Sequence, residues 1–389
     1  MLKMVFIINE RANVGYNNRM PSIIDKLSQV NWDFPDSNTT ENINSIHPYP
    51  AKFIQEIPKT LIQIIGVPKG TWGLDPFCGS GATLVEAQLA GIPSIGVDLN
   101  PIACLISRVK TQPLPDGFLE CAKDTVEQAK KSKRVTIPKI PNLDHWFRRD
   151  IQEATARLLT HIELVENTGI KDALHLSLSS ILVRVSNQDS DTRYAAVEKN
   201  IDDRKFYALF LSSAERLWAV KAAYEPRTCE AEVVCKDILQ VSRADIPHPI
   251  GLVVTSPPYP NAYEYWLYHK YRMFWLGYDP IQVKRQEIGA RAHYFKRNHP
   301  TEQDFRRQMQ SVLNLFWATV VKDGHVCIVI GRSKIHDKIV DNASILVEIA
   351  QEIGFTPLAN MTRQIAASRK TFNLSHANIK TENLLVFKK

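Results

Sequence analysis

Cysteine is scarce in this sequence. The 389 residues hold six, at positions 78, 104, 121, 229, 235 and 327, with no CxxC pair and no metal-ligand spacing. A disulfide scaffold is excluded, no metal is expected, and the usage suits a reducing, cytoplasmic compartment. Long apolar runs are also missing. Nothing approaches the roughly 18 apolar residues of a membrane span, so no membrane partner is expected. The opening MLKMVFIINERANVG has only Val5–Ile8 as an apolar run before charge resumes, which does not fit a secretory leader. There is no internal repeat or low-complexity stretch, and collagen and coiled coil are excluded. What remains is 44% hydrophobic and 23% charged residues, ordinary for a folded chain. The length suits one domain with a large insertion, or two domains.

The net charge of +7 is unevenly placed. Residues 1–109 carry 8 basic and 9 acidic side chains, 110–230 carry 19 and 18, and 231–389 carry 21 and 14. The excess therefore lies in the last segment. Two readings stand: a surface selected for a polyanion, or a solvated face.

Residues 1–46 are polar and Asn-rich and are expected to form an N-terminal arm. A helix is expected over Phe53–Ile65 and a short strand over Thr71–Leu74, running into DPFCGSGATLVEAQLAG. Ala82–Ala90 reads as a helix stopped by Gly91, and Ile92–Val97 as a second strand ending at Asp98. Strand, Gly-rich turn, helix, strand opens a doubly wound parallel sheet. The sheet is then interrupted. Residues 111–145 are Pro- and Lys-rich, a linker by composition, and helical spacing follows over 151–165, 172–185 and 200–223. Strands resume at Glu232–Cys235, Gly251–Val254, Val326–Ile330 and Leu384–Phe387, with a helix at Ala343–Ile353. The expected fold is α/β, with residues 47–110 and 231–389 forming two halves of one domain. Residues 111–230 form a mainly helical insertion, a candidate for target recognition.

Two turns carry the chemistry. The glycines of Asp75-Pro76-Phe77-Cys78-Gly79-Ser80-Gly81 let backbone approach a ligand. No Lys-Ser/Thr follows them, so this is not a P-loop, and Leu84 stands where a dinucleotide turn wants its third glycine. Asp75, at the strand end, would repel a pyrophosphate but accept hydrogen bonds from an amine. Asp98 can take both hydroxyls of a ribose. A cofactor with a cationic amino-acid arm, a ribose and no phosphate fits, namely S-adenosylmethionine. The second turn is Thr255-Ser256-Pro257-Pro258-Tyr259. Its prolines hold a rigid extended turn, leaving the Ser256 hydroxyl and a proline carbonyl as fixed acceptors beside the Tyr259 ring. Acceptors that hold the hydrogens of an exocyclic amine pull its lone pair out of conjugation, and an aromatic face supports an extruded base. A plain strand-ending turn is the competing reading of this motif alone.

Together DPFCGSG, VDLNP and TSPPY resemble the motifs of the amino-methylating DNA methyltransferases, which act on cytosine N4 or adenine N6. HPYPAKF at 47–53 resembles their upstream cofactor-pocket motif. The resemblance covers roughly 47–105 and 231–389. It implies that the fold is the doubly wound sheet of the S-adenosylmethionine-dependent methyltransferases. It also implies that Lys52, Phe53, Asp75, Phe77, Gly79, Gly81, Asp98, Asp237 and Thr255 serve the cofactor. Ser256, Pro257, Pro258 and Tyr259 form the catalytic pocket. Ser at the first catalytic position points to the N4-cytosine branch. Cofactor motifs precede the catalytic one here, whereas many N4-cytosine enzymes run the other way. The resemblance further implies duplex DNA as substrate and a cognate restriction nuclease as partner. C5-cytosine methylation is disfavoured, because TSPPYP holds no Cys nucleophile.

Residues 262–300 hold ten aromatics, seven Lys/Arg and three acids. Lys270, Arg272, Lys284, Arg285 and Arg291 are candidate DNA contacts. Tyr263, Trp266, Phe274 and Trp275, at helical spacing, read as core. In the insertion, residues 185–194 are dense in side chains able to read base edges, Asn187 and Arg193 foremost. A polar loop between helices is the alternative there. The polar stretches GRSKIHDK (331–338) and TRQIAASRKTFNLSHANIKTE read as loops on the sheet's edge. Adenine-N6 methylation, RNA methylation and a non-catalytic DNA-binding specificity subunit are the rival functions.

Overall fold

The computed structural model describes residues 21–389 except 36, 38–42, 51–52, 192, 225–228, 262, 336–337 and 366–379. Its strands are β1 (Trp72–Asp75), β2 (Ser94–Asp98), β3 (Ala231–Cys235), β4 (Ile250–Thr255), β5 (Val320–Gly331), β6 (Ser333–Ile335), β7 (Lys338–Val340), β8 (Thr356–Gln364) and β9 (Thr381–Lys388). Seven of them form one sheet in the order β3-β2-β1-β4-β5-β9-β8. Neighbours from β3 to β5 run parallel, and β9 runs antiparallel to both β5 and β8. The strand order reverses between β1 and β4. Ligands of open α/β sheets bind beyond the carboxyl ends of the strands at such a point.

Alternation along the strands sorts the two faces. Ile250 and Val253 of β4, Val326, Ile328 and Ile330 of β5, and Leu385 and Phe387 of β9 pack on one side. Leu252, Val254, Cys327, Val329, Leu384 and Val386 pack on the other. The first face is covered by the helices Glu302–Thr319 and Asn342–Ile353. The former buries Phe305, Met309, Val312, Leu313 and Phe316, a stripe at helical period. It starts in a capping box of Thr301 and Asp304. The second face is covered by the helix Glu56–Ile65 and by part of the arm, where Leu27 and Trp32 are buried.

Residues 111–145 are not one linker. Phe118–Lys131 is a helix that buries Phe118, Ala122, Thr125, Val126 and Ala129. That spacing is helical, but the flanking prolines and terminal lysines outweigh it in composition. The insertion continues through the helices Arg149–Glu163, Thr168–Val185 and Asp203–Ala222. Thr168–Val185 buries eleven side chains, too many for one face, so it lies inside the insertion. The block packs on the helix Pro101–Thr111, whose Ile102, Leu105, Ile106 and Val109 join the same core. Arg108 pairs with Asp172 at 2.8 Å across that contact. At the neck, Gln112 Nε2 donates to the Ala231 carbonyl at 2.7 Å. Lys221 Nζ donates to the carbonyls of Lys110 and Gln112.

The edge-loop expectations are corrected. In GRSKIHDK, Gly331 ends β5, Ser333–Ile335 form β6 and Lys338 opens β7, and β6 pairs with β7 as an antiparallel hairpin. In the later stretch, Thr362, Arg363 and Gln364 belong to β8, which pairs with β9. Arg363 is 5% exposed. Thr381 and Glu382 at the end of that stretch belong to β9, and residues 366–379 lie outside the described residues. Among the described residues no helix is long and apolar enough to cross a membrane.

Candidate active site

β1 delivers Asp75 to the sheet's carboxyl edge, and the turn after it folds through two left-handed glycines, Gly79 (φ +49°) and Gly81 (φ +78°). A Cβ on Gly81 would stand 2.7 Å from Ser107 Oγ, and one on Gly79 would stand 3.3 Å from the Tyr49 ring. Glycine is therefore required by conformation and by space together. The turn is tied down from both sides. Gly79 N–H donates to Asp98 Oδ2 at 2.8 Å, and Ser107 Oγ donates to the Gly79 carbonyl at 3.0 Å. Buried Lys110 donates from Nζ to the Ser80 carbonyl at 2.6 Å.

Two carboxylates, Asp75 buried and Asp98 half-buried, face the same space. Asp75 Oδ1 accepts from Thr255 Oγ1 at 2.7 Å, a bond between the ends of β1 and β4 where the strand order reverses. Burial pushes the Asp75 carboxyl up to about 6, against bonds from Thr255, Thr83 and the Phe77 N–H. Asp98 accepts from the N–H groups of Gly79 and Asn100, each at 2.8 Å. Burial raises it to about 6 as well. Such groups favour a ligand that brings a cation or hydroxyl donors, and disfavour a phosphate.

β4 delivers the second turn. Ser256, Pro257, Pro258 and Tyr259 line one cavity with Asp75, Phe77, Gly79 and Asp98. Phe53 and Asp237 line it too. Thr255 and Gly81 do not, and brace the site from behind, Thr255 through Asp75 and Gly81 through its tight approach to Ser107. Lys52 lies outside the described residues. Buried Tyr259 donates from its hydroxyl to Glu382 Oε1 at 2.8 Å. Burial and then the Glu382 charge hold the phenol well above its ordinary range, so it stays protonated. Arg363 Nη1 donates to Glu382 Oε2 at 2.5 Å, and its Nε donates to the Trp32 carbonyl at 3.0 Å. A polar chain thus runs from the SPPY turn through β9 and β8 to the arm.

Sequence reasoning missed Glu382 and Arg363, which β-pairing brings in from more than a hundred residues away. It also missed Glu287, whose carboxylate accepts from the N–H groups of Tyr265 (2.9 Å) and Trp266 (2.7 Å). Burial pushes Glu287 up to about 8. Tyr49 lines the cavity and stacks on Tyr265 at 6.0 Å between ring centroids. It sits inside HPYPAKF, a motif that marked the place without singling out this ring.

One candidate DNA contact is corrected. Arg272 is 1% exposed and reaches no solvent. Its guanidinium donates to the carbonyls of Ser179 and Tyr268 and to Asp191, tying the segment after the catalytic turn to the insertion. Lys270 sits over the rings of Tyr194 and Tyr271, and Lys284 over Trp266 at 4.6 Å. The helix Pro280–Gln286 carries Lys284 and exposed Arg285, while its Val283 and Gln286 line the cavity. Arg291 N–H donates to the Tyr263 carbonyl at 3.3 Å, so it too stands near the mouth. In the insertion, Asn187 Nδ2 donates to the His145 carbonyl at 3.1 Å. Arg193 is exposed and 3.7 Å from Asp189. Among the described residues no group of three His, Cys, Asp or Glu could hold a metal ion.

Comparison with known proteins points the same way. A family model described as DNA methylase matches residues 14–108. The chain is similar to the type II methyltransferase M.MvaI of Kocuria varians, at 29% identity over 189 residues, 44% of this chain and 42% of that protein. It is also similar to the type II methyltransferase M.BsoBI of Geobacillus stearothermophilus, at 22% identity, covering 64% of this chain and 55% of that protein. The chain thus spans about half the length of these two relatives. Among solved structures, TrmN from Thermus thermophilus aligns over 87% of this chain and 49% of its own, at 9% identity and a TM-score of 0.35. That likeness carries no argument. The resemblance to the amino-methylating DNA methyltransferases is carried by sequence, and the part matched by the family model, residues 14–108, bears the cofactor turn.

Proposed function

We propose that this chain methylates an exocyclic amine of a base in duplex DNA, N4 of cytosine, with S-adenosylmethionine as methyl donor. The single observation that carries this reading is the shared cavity. Ser256-Pro257-Pro258-Tyr259 opens onto the same space as Asp75 and Asp98, and the two turns are bonded through Thr255 and Asp75. The residues present fit the cofactor. Asp75 would hold its ammonium, Asp98 its ribose hydroxyls and Asp237 its adenine amine. When bound, S-adenosylmethionine supplies an electrophilic methyl group on a sulfonium. The chain's own part is positioning. The Ser256 hydroxyl and a proline carbonyl accept the hydrogens of the target amine, and Tyr259, held by Glu382, supports the base. Ser256 at the first catalytic position favours cytosine. The names of the two relatives support a role in restriction-modification, with a cognate nuclease as partner.

Nucleoside mass spectrometry of genomic DNA from a host expressing the chain tests this reading. N4-methylcytosine is expected, with turnover reduced about tenfold by Ser256→Ala, the effect of one lost hydrogen bond. N6-methyladenine would overturn the base assignment and keep the mechanism. A mark on RNA alone would overturn the substrate.

The carboxylates predict a pH dependence. Because burial lifts Asp75 and Asp98 from 3.8 to about 6, the ligand-free folded chain binds their protons more tightly than the unfolded chain does. These groups therefore stabilise the free protein less as pH rises from 3.8 to about 6. A bound ammonium favours the ionised form. Cofactor affinity is expected to be flat above about pH 7 and to fall up to roughly tenfold per pH unit, per proton displaced, below about 6. Calorimetry in buffers of different ionisation enthalpy should show proton release near that pH. An affinity independent of pH would remove both carboxylates from the binding site.

A further inference from the structure

Among the described residues, three large hydrophobic side chains are more than seven-tenths exposed: Leu164 at 72%, Phe295 at 73% and Ile339 at 72%. Leu164 caps a helix of the insertion. The other two stand on segments bonded to the stretch that follows the SPPY turn. Asn261 N–H donates to the Gly289 carbonyl at 2.9 Å and Arg291 N–H to the Tyr263 carbonyl at 3.3 Å. Asn261 Nδ2 donates to the Lys334 carbonyl, on the hairpin that carries Ile339, at 2.8 Å. Phe295 and Ile339 are thus open to an occupant seated over the cavity that Tyr263 and Ile288 line.

The surroundings of Phe295 say which occupant. The Arg291 guanidinium lies 5.3 Å from its ring centroid, Lys296 and Arg297 beside it are exposed, and no acidic residue falls between Glu287 and Glu302. Cations on that surface suit phosphates, while a bare aromatic ring suits the faces of bases. Extruding a base from a duplex leaves a gap in the stack, and apolar wedges are how proteins fill or open one.

We infer that Phe295 enters the base stack of the duplex and fills the space vacated by the target base. This rests on the DNA reading above. Arg291, Lys296 and Arg297 hold the flanking phosphates, which sets the ring at the correct depth. An aromatic side chain serves here where Ile339, on its shorter branched stem, does not stack.

The test is equilibrium binding of the full chain, by fluorescence anisotropy, to a mixed-sequence duplex and to the same duplex with one central abasic position. A stack already open saves the unstacking step. The parent is expected to bind the abasic duplex about tenfold more tightly. Phe295→Ala should bind both duplexes alike, Phe295→Trp should keep the preference, and Ile339→Ala should keep it too. Because the ring is exposed, thermal stability should not change. Retention of the preference by Phe295→Ala overturns the inference, as does its absence in the parent. An equal loss on both duplexes also overturns it, and makes Phe295 a general contact. A parent that binds neither duplex defeats the DNA reading itself, which separates the two failures.

Discussion

Gly289→Ala is expected to slow methyl transfer about a hundredfold while leaving cofactor affinity intact. Gly289 holds a left-handed backbone (φ +73°), and a Cβ there would come within 2.7 Å of the Tyr259 carbonyl oxygen and 3.0 Å of its carbon. Those atoms are backbone of the catalytic turn, so no side chain can swing aside. The turn must move instead. Misplacement by about an ångström costs on the order of a hundredfold when the rate depends on positioning. The left-handed conformation adds only about 1–2 kcal/mol of instability, and Asp75 and Asp98 lie on other elements. The measurement is single-turnover rate beside calorimetric cofactor affinity and melting temperature. Parent-like turnover would show that the position of the Tyr259 turn does not limit the reaction. Equal losses of rate and cofactor affinity would show general damage.

The second large effect concerns stability. Glu382→Ala is expected to destabilise the chain by about 3–5 kcal/mol, because it strands a buried guanidinium. The Arg363 side chain is 6% exposed and Glu382 15%. Replacing both, as Arg363→Met with Glu382→Leu, should cost far less, since well-packed apolar groups commonly match a buried pair. Tyr259 would still lose its acceptor, so the double variant separates the two roles: recovered stability with turnover still low. Denaturant unfolding and turnover on the same preparations read both. A Glu382→Ala protein as stable as the parent would mean the pair adds nothing to the fold.

The parts of this fold that could be read in advance share one property: their signal is local. The strand-to-glycine turn at Asp75, the β-branched run into Asp98 and the strand into SPPY each carry their chemistry within a dozen residues. The structure brings the two carboxylates and the SPPY turn together on one cavity. β8 escaped notice, because an edge strand of mixed burial alternates weakly. Phe118–Lys131 was hidden by its prolines and lysines. Arg272 misled for a different reason. A cation among aromatics reads as a surface group, and only the tertiary structure supplies the two carbonyls and the carboxylate that let it be buried. Glu382 and Arg363 serve the site only because β9 lies between β5 and β8.

Gln112 and Ala231 stand side by side where the helical block leaves the sheet and rejoins it. A join of that kind invites transplantation, since the two stubs already abut. The block nevertheless cannot be lifted out as a cassette. Ile102, Leu105, Ile106 and Val109 would face water without it, and Arg272 would lose Ser179 and Asp191 together. Chains of this design should therefore diversify by changing the block's outer surface and loops, while block and sheet are inherited as one piece.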